Sequence, residues 1–161
     1  MGMLSVSAST GFAPCPAPFN LAAHVLGRAA DLGDKTALAI VGPDRVEAWR
    51  FDQLEAAVRG TATGLLGMGL RPGDIVLMRL GNTVDFPLAY LGALAAGLVP
   101  VPTAAALTEP EVAAIIATLA PKAILRDPAV PCPPNDTTVD LAQLRSMRDL
   151  PAAPWHMGDP D

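Results

Sequence analysis

Basic side chains are scarce in this sequence and nowhere cluster. Eleven Lys and Arg stand against 16 Asp and Glu, a formal net charge of −5. Without a basic block, nucleic acid and anionic membrane surfaces are excluded as main partners. Charged residues make up only 17% of the chain, below the usual ~25%, which fits much buried surface or a piece of a larger body. There are two cysteines, Cys15 and Cys132, each between prolines and without metal-ligand spacing. Two separated thiols in an acidic chain read as a reduced, cytoplasmic protein, with a bridge between two loose arms left open. The first residues, "MGMLSVSASTGFAPCPAP", lack the Lys or Arg that starts a signal peptide. Val6 stands where myristoylation requires Ser or Thr. Asn135 opens a glycosylation sequon, "NDT", that means little without a secretory signal. Residues 1–19 read as a flexible arm.

One long uncharged run is present. "FPLAYLGALAAGLVPVPTAAAL", Phe86–Leu107, has 22 residues, and a membrane-spanning helix needs about 20. Gly97 and Pro100 divide it into a helix and a short strand, each too short to span. The helix is apolar all round because it packs between neighbours.

The remaining pattern is a regular alternation. Asn20 can cap a helix to about Leu32 with Leu21, Val25, Leu26 and Ala29 as its stripe. "TALAIV" (36–41) and "VEAWR" (46–50), joined by "GPDR", predict a hairpin. Phe51, Leu54, Val58, Ala62 and Leu65 mark a helix to Met68, closed by Gly69 with Pro72 beyond. A strand at 75–80, a helix at 83–96 and a strand at 98–101 follow. Thr108 and Glu111 form a capping box, with Pro110 in the first turn, for a helix whose inward stripe is Val112, Ile115, Ile116 and Leu119. "KAILR" (122–126) is a strand, "DPAVPCPPNDTT" a proline-rich loop, and Asp140 caps a short helix to about Met147. The tail "LPAAPWHMGDPD" reads as irregular. Strands alternating with helices predict an α/β fold with a mostly parallel sheet and a small β-hairpin near the start. The expected division is 1–19 arm, 20–148 α/β subdomain, 149–161 connector.

Residue by residue, no active site emerges. "GLLGMG", with Gly64, Gly67 and Gly69, follows a helix, whereas the dinucleotide fingerprint follows a strand and opens a helix. Its small residues read as close packing and a stop. There is no G-x-x-x-x-G-K-[ST] phosphate loop. His24 lies on a helix and His156 in the tail, neither near a nucleophile. Asp31, Asp34, Asp44, Asp52 and Asp74 occupy cap and turn positions, where Asp is favoured for local reasons.

The segment 51–112, "FDQLEAAVRGTATGLLGMGLRPGDIVLMRLGNTVDFPLAYLGALAAGLVPVPTAAALTEPEV", resembles the opening of the adenylate-forming (AMP-binding) acyl-CoA synthetase family. The order carries the resemblance: F-x-x-L at 51–54, GL-x-PGD-x-V at 69–76, L-x-N at 80–82, the pair Asp85–Phe86, "GALAAGLVPVP" at 92–102, and LT-x-x-E at 107–111. "FNLAAHVL" and "GDKTALAI" upstream agree with it, and the likeness runs over about residues 19–127. It leans toward the benzoate and related aryl-CoA ligases. "VPTAAAL" departs from the Asn-Pro loop of many members, which bears on the sub-branch.

The resemblance implies ATP- and Mg2+-dependent activation of a carboxylic acid to an acyl-adenylate, then transfer to coenzyme A. The family's Gly/Ser/Thr/Lys phosphate loop, aromatic-Gly-x-Thr-Glu segment, ribose-binding Asp and late Lys do not occur in this sequence. No catalytic, cofactor-binding or metal residue is therefore assigned. Gly73 and Asp74 are expected to turn into a strand, Asn82 or Thr83 to cap a helix, and Pro100 and Pro102 to steer the chain off a strand. The expectation is an N-terminal fragment of such a ligase, inactive alone. It would associate with the rest of the ligase, or with itself through exposed apolar surface. A non-catalytic binding or regulatory homologue that keeps this fold is the alternative.

Overall fold

The computed structural model describes residues 16–159. Cys15, Val6 and most of the expected arm lie outside the described residues. In chain order the elements are α1 (Leu21–Leu26), α2 (Ala29–Leu32), β1 (Thr36–Val41), β2 (Val46–Arg50), α3 (Phe51–Gly67), β3 (Ile75–Arg79), α4 (Asp85–Ala95), β4 (Val99–Pro102), α5 (Glu109–Leu119), β5 (Ala123–Arg126), β6 (Thr138–Asp140) and α6 (Leu141–Ser146). A 3-10 turn, Met147–Asp149, follows.

β1 and β2 form the antiparallel hairpin, Val41 opposite Val46, closed by Gly42 N–H donating to the Arg45 carbonyl at 2.9 Å. The other four strands make one all-parallel sheet in the order β4-β3-β5-β6. Side chains alternate across it, as strand geometry requires. Val76, Met78, Leu80, Ala123, Leu125 and Val139 face the larger core, with residues of α1, α3, α4 and α6. Leu77 and Ile124 face a smaller one, with Val112 and Cys132.

Helices approach closely where side chains are small. A Cβ on Gly64 of α3 would lie 2.2 Å from Met147 Cγ, and one on Gly92 of α4 would lie 2.7 Å from Thr61 Cγ2. The glycines read from sequence as packing residues do that at Gly64. Gly73 and Gly97 turn with φ of 90° and 75°, a region costly for residues with a Cβ. Their turns meet, Gly73 N–H donating to the Gly97 carbonyl at 2.8 Å.

The first expected helix is two. Its path changes at Gly27 and Arg28, so Ala22, Leu26 and Ala29 are buried while Leu21 and Val25 are exposed. Asn20 does cap it, accepting from Ala23 N–H at 3.0 Å, and its amide donates to the carbonyls of Leu94 (2.7 Å) and His156 (2.8 Å). β6 falls where the sequence suggested the end of a loop and a cap. Only three residues long, it is held by pairing of Ile124 with Thr138 through Arg126 with Asp140. Helix α4 starts at Asp85 with Val84 at its N-cap position, and of the two expected caps Thr83 contributes, its Oγ1 accepting from Asp85 N–H at 3.3 Å. Pro100 and Pro102 sit inside β4 instead of steering the chain off it. Val99 and Thr103 N–H donate inward to the carbonyls of Asp74 and Met78, so the two prolines take the alternate, outward positions of this edge strand.

The tail is irregular but fastened. Phe19 and Gly158 exchange backbone hydrogen bonds at 2.7 and 3.1 Å. Arg59 Nε donates to the Ala153 carbonyl at 2.7 Å, and His156 N–H to that of Ala95 at 2.9 Å. The long apolar run divides as expected into helix α4 of 11 residues and β4. No helix among the described residues is long and apolar enough to cross a membrane.

On α5 the capping box forms, Thr108 N–H and Oγ1 donating to Glu111 at 2.8 and 2.7 Å. Of its expected inward stripe only Val112 is buried. Ile115 and Ile116 are half-buried, because α5 covers just the small second core. Val112→Asp should therefore bury an unpaired carboxylate and cost ~3 kcal/mol or more, while Ile115→Asp costs about 1 kcal/mol. Urea denaturation of both variants checks this, and equal losses would mean that α5 sits rotated.

Candidate functional site

The parallel strands end together, and charge collects at that edge. Arg79 ends β3 fully buried. Its Nε and Nη2 donate to the Pro131 carbonyl at 3.1 and 2.6 Å, its Nη1 to the Ala104 carbonyl at 2.7 Å and Thr103 Oγ1 at 3.0 Å, and its Nη2 also to the Leu107 carbonyl at 3.3 Å. Burial lowers the guanidinium's pKa, and carbonyl oxygens replace the water it has lost. One side chain thus fixes the loops after β4 and β5.

On the other face of the sheet, Asp85 opens α4 with 1% of its surface exposed. Arg145 Nε and Nη2 bind its two oxygens at 3.0 and 2.8 Å, Arg148 Nη2 binds Oδ1, and Thr83 Oγ1 donates to Oδ2 at 3.0 Å. Burial pushes the carboxyl pKa up. The bond from Arg145, the charge of Arg148 and the Thr83 hydroxyl outweigh that and leave it below the usual carboxylate value. The positive end of α4 favours the same ionised form. Arg148 also stacks over Trp49, its Cζ 5.8 Å from the ring centre.

Two open grooves flank Arg145. One, of about 660 Å³, runs between β2 and the 3-10 turn past Trp49, Gln53, Arg148 and Asp149. The other, of about 630 Å³, lies at the ends of β5 and β6 and is lined by Arg126, Pro128, Thr138, Asp140, Leu141 and Ala142.

The residues weighed from sequence do not converge on these grooves. His24 rests against the Phe19 ring at 5.6 Å, and His156 packs on Gly97. Asp31 pairs with Arg28 on the surface at 3.7 Å, Asp52 pairs with Arg50 at 2.9 Å, and Asp74 accepts from Arg71 N–H at 2.8 Å. These are cap and turn roles. Cys132 is free and buried, and burial pushes its thiol pKa up, which disfavours the nucleophilic thiolate. No group of three or more potential metal ligands occurs among the described residues. Arg79, Arg145 and Arg148 were missed, and Asp85 was noted only for the resemblance. The available signals were an arginine closing an apolar strand and two arginines at i, i+3 near a helix end.

In open α/β sheets, ligands bind outside the carboxyl ends of the strands. Here the loop after β3 offers Gly81, where an added Cβ would lie 3.1 Å from Asp127 Oδ2, and then buried Asp85. Two carboxylates and a single glycine do not fit a triphosphate, so no step of nucleotide chemistry is assigned to these residues.

Comparison with known proteins agrees with the architecture. The family model described as "AMP-binding enzyme" matches residues 27–156. The chain therefore belongs to the AMP-binding enzyme family. Benzoate–CoA ligase of Thauera aromatica is 34% identical over 97 residues, which cover 58% of this chain and 18% of that protein. 4-Coumarate–CoA ligase 5 of Oryza sativa subsp. japonica is 29% identical over 106 residues, 66% of this chain and 19% of that protein. The chain thus matches about a fifth of these relatives' length. Among solved structures, a benzoate CoA ligase from Burkholderia xenovorans LB400 superposes with a TM-score of 0.71 at 23% identity, covering 89% of this chain and 30% of that one. The N-terminal subdomain of Klebsiella oxytoca NpsA gives 0.76 at 14% identity, covering 88% of this chain and 36% of that one. The α/β fold with a parallel sheet and an antiparallel hairpin is that of the N-terminal subdomains of these ligases.

The Asp85 cluster makes a pH-dependent contribution with a defined sign. A carboxylate whose folded pKa lies below its unfolded value stabilises fully above the unfolded value of ~3.9, and the stabilisation fades as pH falls through the folded value. Asp85→Asn should cost about 3 kcal/mol at neutral pH, since it leaves two arginines partly unpaired. It should also flatten the loss of melting temperature below about pH 4 relative to wild type. Parallel melting profiles of the two proteins, from neutral to acid, check both.

Proposed function

We propose that this chain is the N-terminal part of an ATP-dependent acid–CoA ligase that converts a carboxylic acid, ATP and coenzyme A into acyl-CoA, AMP and pyrophosphate. The observation that carries the reading is the family match over residues 27–156, together with named relatives of which the chain matches about a fifth. The likeness to benzoate– and 4-coumarate–CoA ligases favours an aryl acid as substrate. Mg2+, ATP and coenzyme A would be handled by the full ligase, through motifs that this sequence does not contain. Nothing in the chain calls for a nucleic-acid or membrane partner, and a reduced Cys132 suits the cytoplasm.

In this reading the described residues are scaffold. Arg79 and Asp85 hold the carboxyl edge of the sheet in shape, and the rest of the ligase is the natural partner. Self-association through exposed apolar groups, such as Val99 on β4 and Val41 and Val46 of the hairpin, is the competing partner reading.

Transition-state charge on a transferring phosphoryl or adenylyl group needs preorganised donors or a metal. The chain alone should give no ATP–pyrophosphate exchange above background with a panel of benzoates and cinnamates, while a ligase containing this segment exchanges. Exchange by the chain alone would place the catalytic groups inside it. Inactivity of the longest natural reading frame would favour the non-catalytic homologue.

A further inference from the structure

Residues 151–158 are held in a way unlike the rest of the molecule. Only Ala153 among them is buried, and Trp155 is half-buried. They form no helix and no strand ladder beyond a single bridge. Their backbone is instead received group by group. Thr63 Oγ1 donates to the Pro151 carbonyl at 2.5 Å, Arg59 Nε to that of Ala153 at 2.7 Å, and Asn20 Nδ2 to that of His156 at 2.8 Å. In return Ala153 N–H donates to the Arg59 carbonyl at 3.2 Å, and His156 N–H to that of Ala95 at 2.9 Å. Gly158 pairs with Phe19. Asn20, 7% exposed, joins the parts: Nδ2 also donates to the Leu94 carbonyl of α4 at 2.7 Å, and its oxygen caps α1.

Apolar burial holds the two cores together, whereas this segment rests on hydrogen bonds near the surface, which water can replace. Segments with few buried apolar contacts open at lower free energy than the whole fold. Pro151 and Pro154 stiffen the backbone between the fastenings, and Asn20 ties the far end to α1 and α4 through one amide, so release at one point loosens the others. Helix α1 has its own hold on the body, since Ala22 and Leu26 are buried and it packs on α4. We propose that residues 151–158 are a strap that opens and closes as one unit over α3 and the end of α4, taking the Phe19 pairing with it and leaving the helices and both sheets folded. Opening uncovers Gly97, against which the His156 ring packs. It also frees Arg59, Thr63, the Asn20 amide and the Ala95 carbonyl, a row of groups that binds extended main chain. None of these contacts depends on the ligase reading.

Amide hydrogen exchange of the full chain, followed residue by residue by NMR under native conditions, tests it. Phe19, Ala153, His156 and Gly158, whose N–H groups fasten the strap, should share one protection factor, about a hundredfold or more below that of Leu77 and Met78 in the central strand β3. Asn20→Asp keeps a cap oxygen for Ala23 N–H and replaces the two N–H donors with an oxygen facing carbonyls. It should raise all four rates together by about tenfold or more, with Ala23 N–H still protected. Thr63→Val removes the hydroxyl at the other end of the strap. It should raise the same four rates by one common factor of about three to ten, Phe19 and Gly158 included. The wild-type comparison and Thr63→Val stand even where Asn20→Asp folds poorly. A strap as protected as β3 would show that it opens only with the whole fold, and rates that rise only beside each substituted residue would show independent fraying. Either result overturns the proposal.

Discussion

The Asp85 carboxylate is the contact on which the geometry of the carboxyl edge depends. It stands at the start of a helix that is otherwise almost wholly apolar, and two arginines from the last helical segment close on it. Apolar packing is non-directional and would let α4 slide or turn within the core. A desolvated carboxylate bound on both oxygens allows one orientation. The contact ties residue 85 to residues 145 and 148, across the whole sheet in sequence. The fold therefore gains its register from an ion cluster and its cohesion from the two apolar layers.

Arg79 plays the complementary part on the other face. Its fork gathers carbonyls from two loops that lack regular structure, the second of them rich in proline and so poor in backbone donors of its own. A lysine would present a point charge where a planar fork reaches four acceptors. The loops that frame the end of the sheet are consequently held from inside the core rather than by contacts across the surface.

What could be read from sequence follows the range of the responsible interaction. Helix α3, the capping box of α5, the Asp140 cap of α6 and the hairpin depend on residues within a few positions of one another, and all were legible. The buried face of α1 was only half legible: of the expected stripe Leu26 and Ala29 are buried and Leu21 and Val25 are not, because Ala22 and Leu26 are as periodic as Leu21 and Val25 and only the packing of α1 on α4 decides between them. β6 was invisible because three residues, "TVD", gain strand character only from β5, which lies beyond a proline-rich loop. The stripe on α5 was placed correctly on its helix, but the depth of the layer beneath it is not a property of the helix. Asp85 and its arginines, 60 and 63 positions apart, leave no local pattern at all.

The prolines of β4 close one rim of the sheet. On an ordinary edge strand every second N–H points outward and can recruit another strand. On β4 those outward positions belong to Pro100 and Pro102, so this rim carries carbonyl acceptors without the donors a partner ladder requires. The opposite rim, β6, contains no proline, but it is only three residues long and its Asp140 N–H is taken by Gln143 Oε1 at 3.0 Å. A further strand, whether from the same polypeptide or from a second molecule, is thus refused at β4. Two residues that look like strand breakers act instead as a terminus that is written into the backbone.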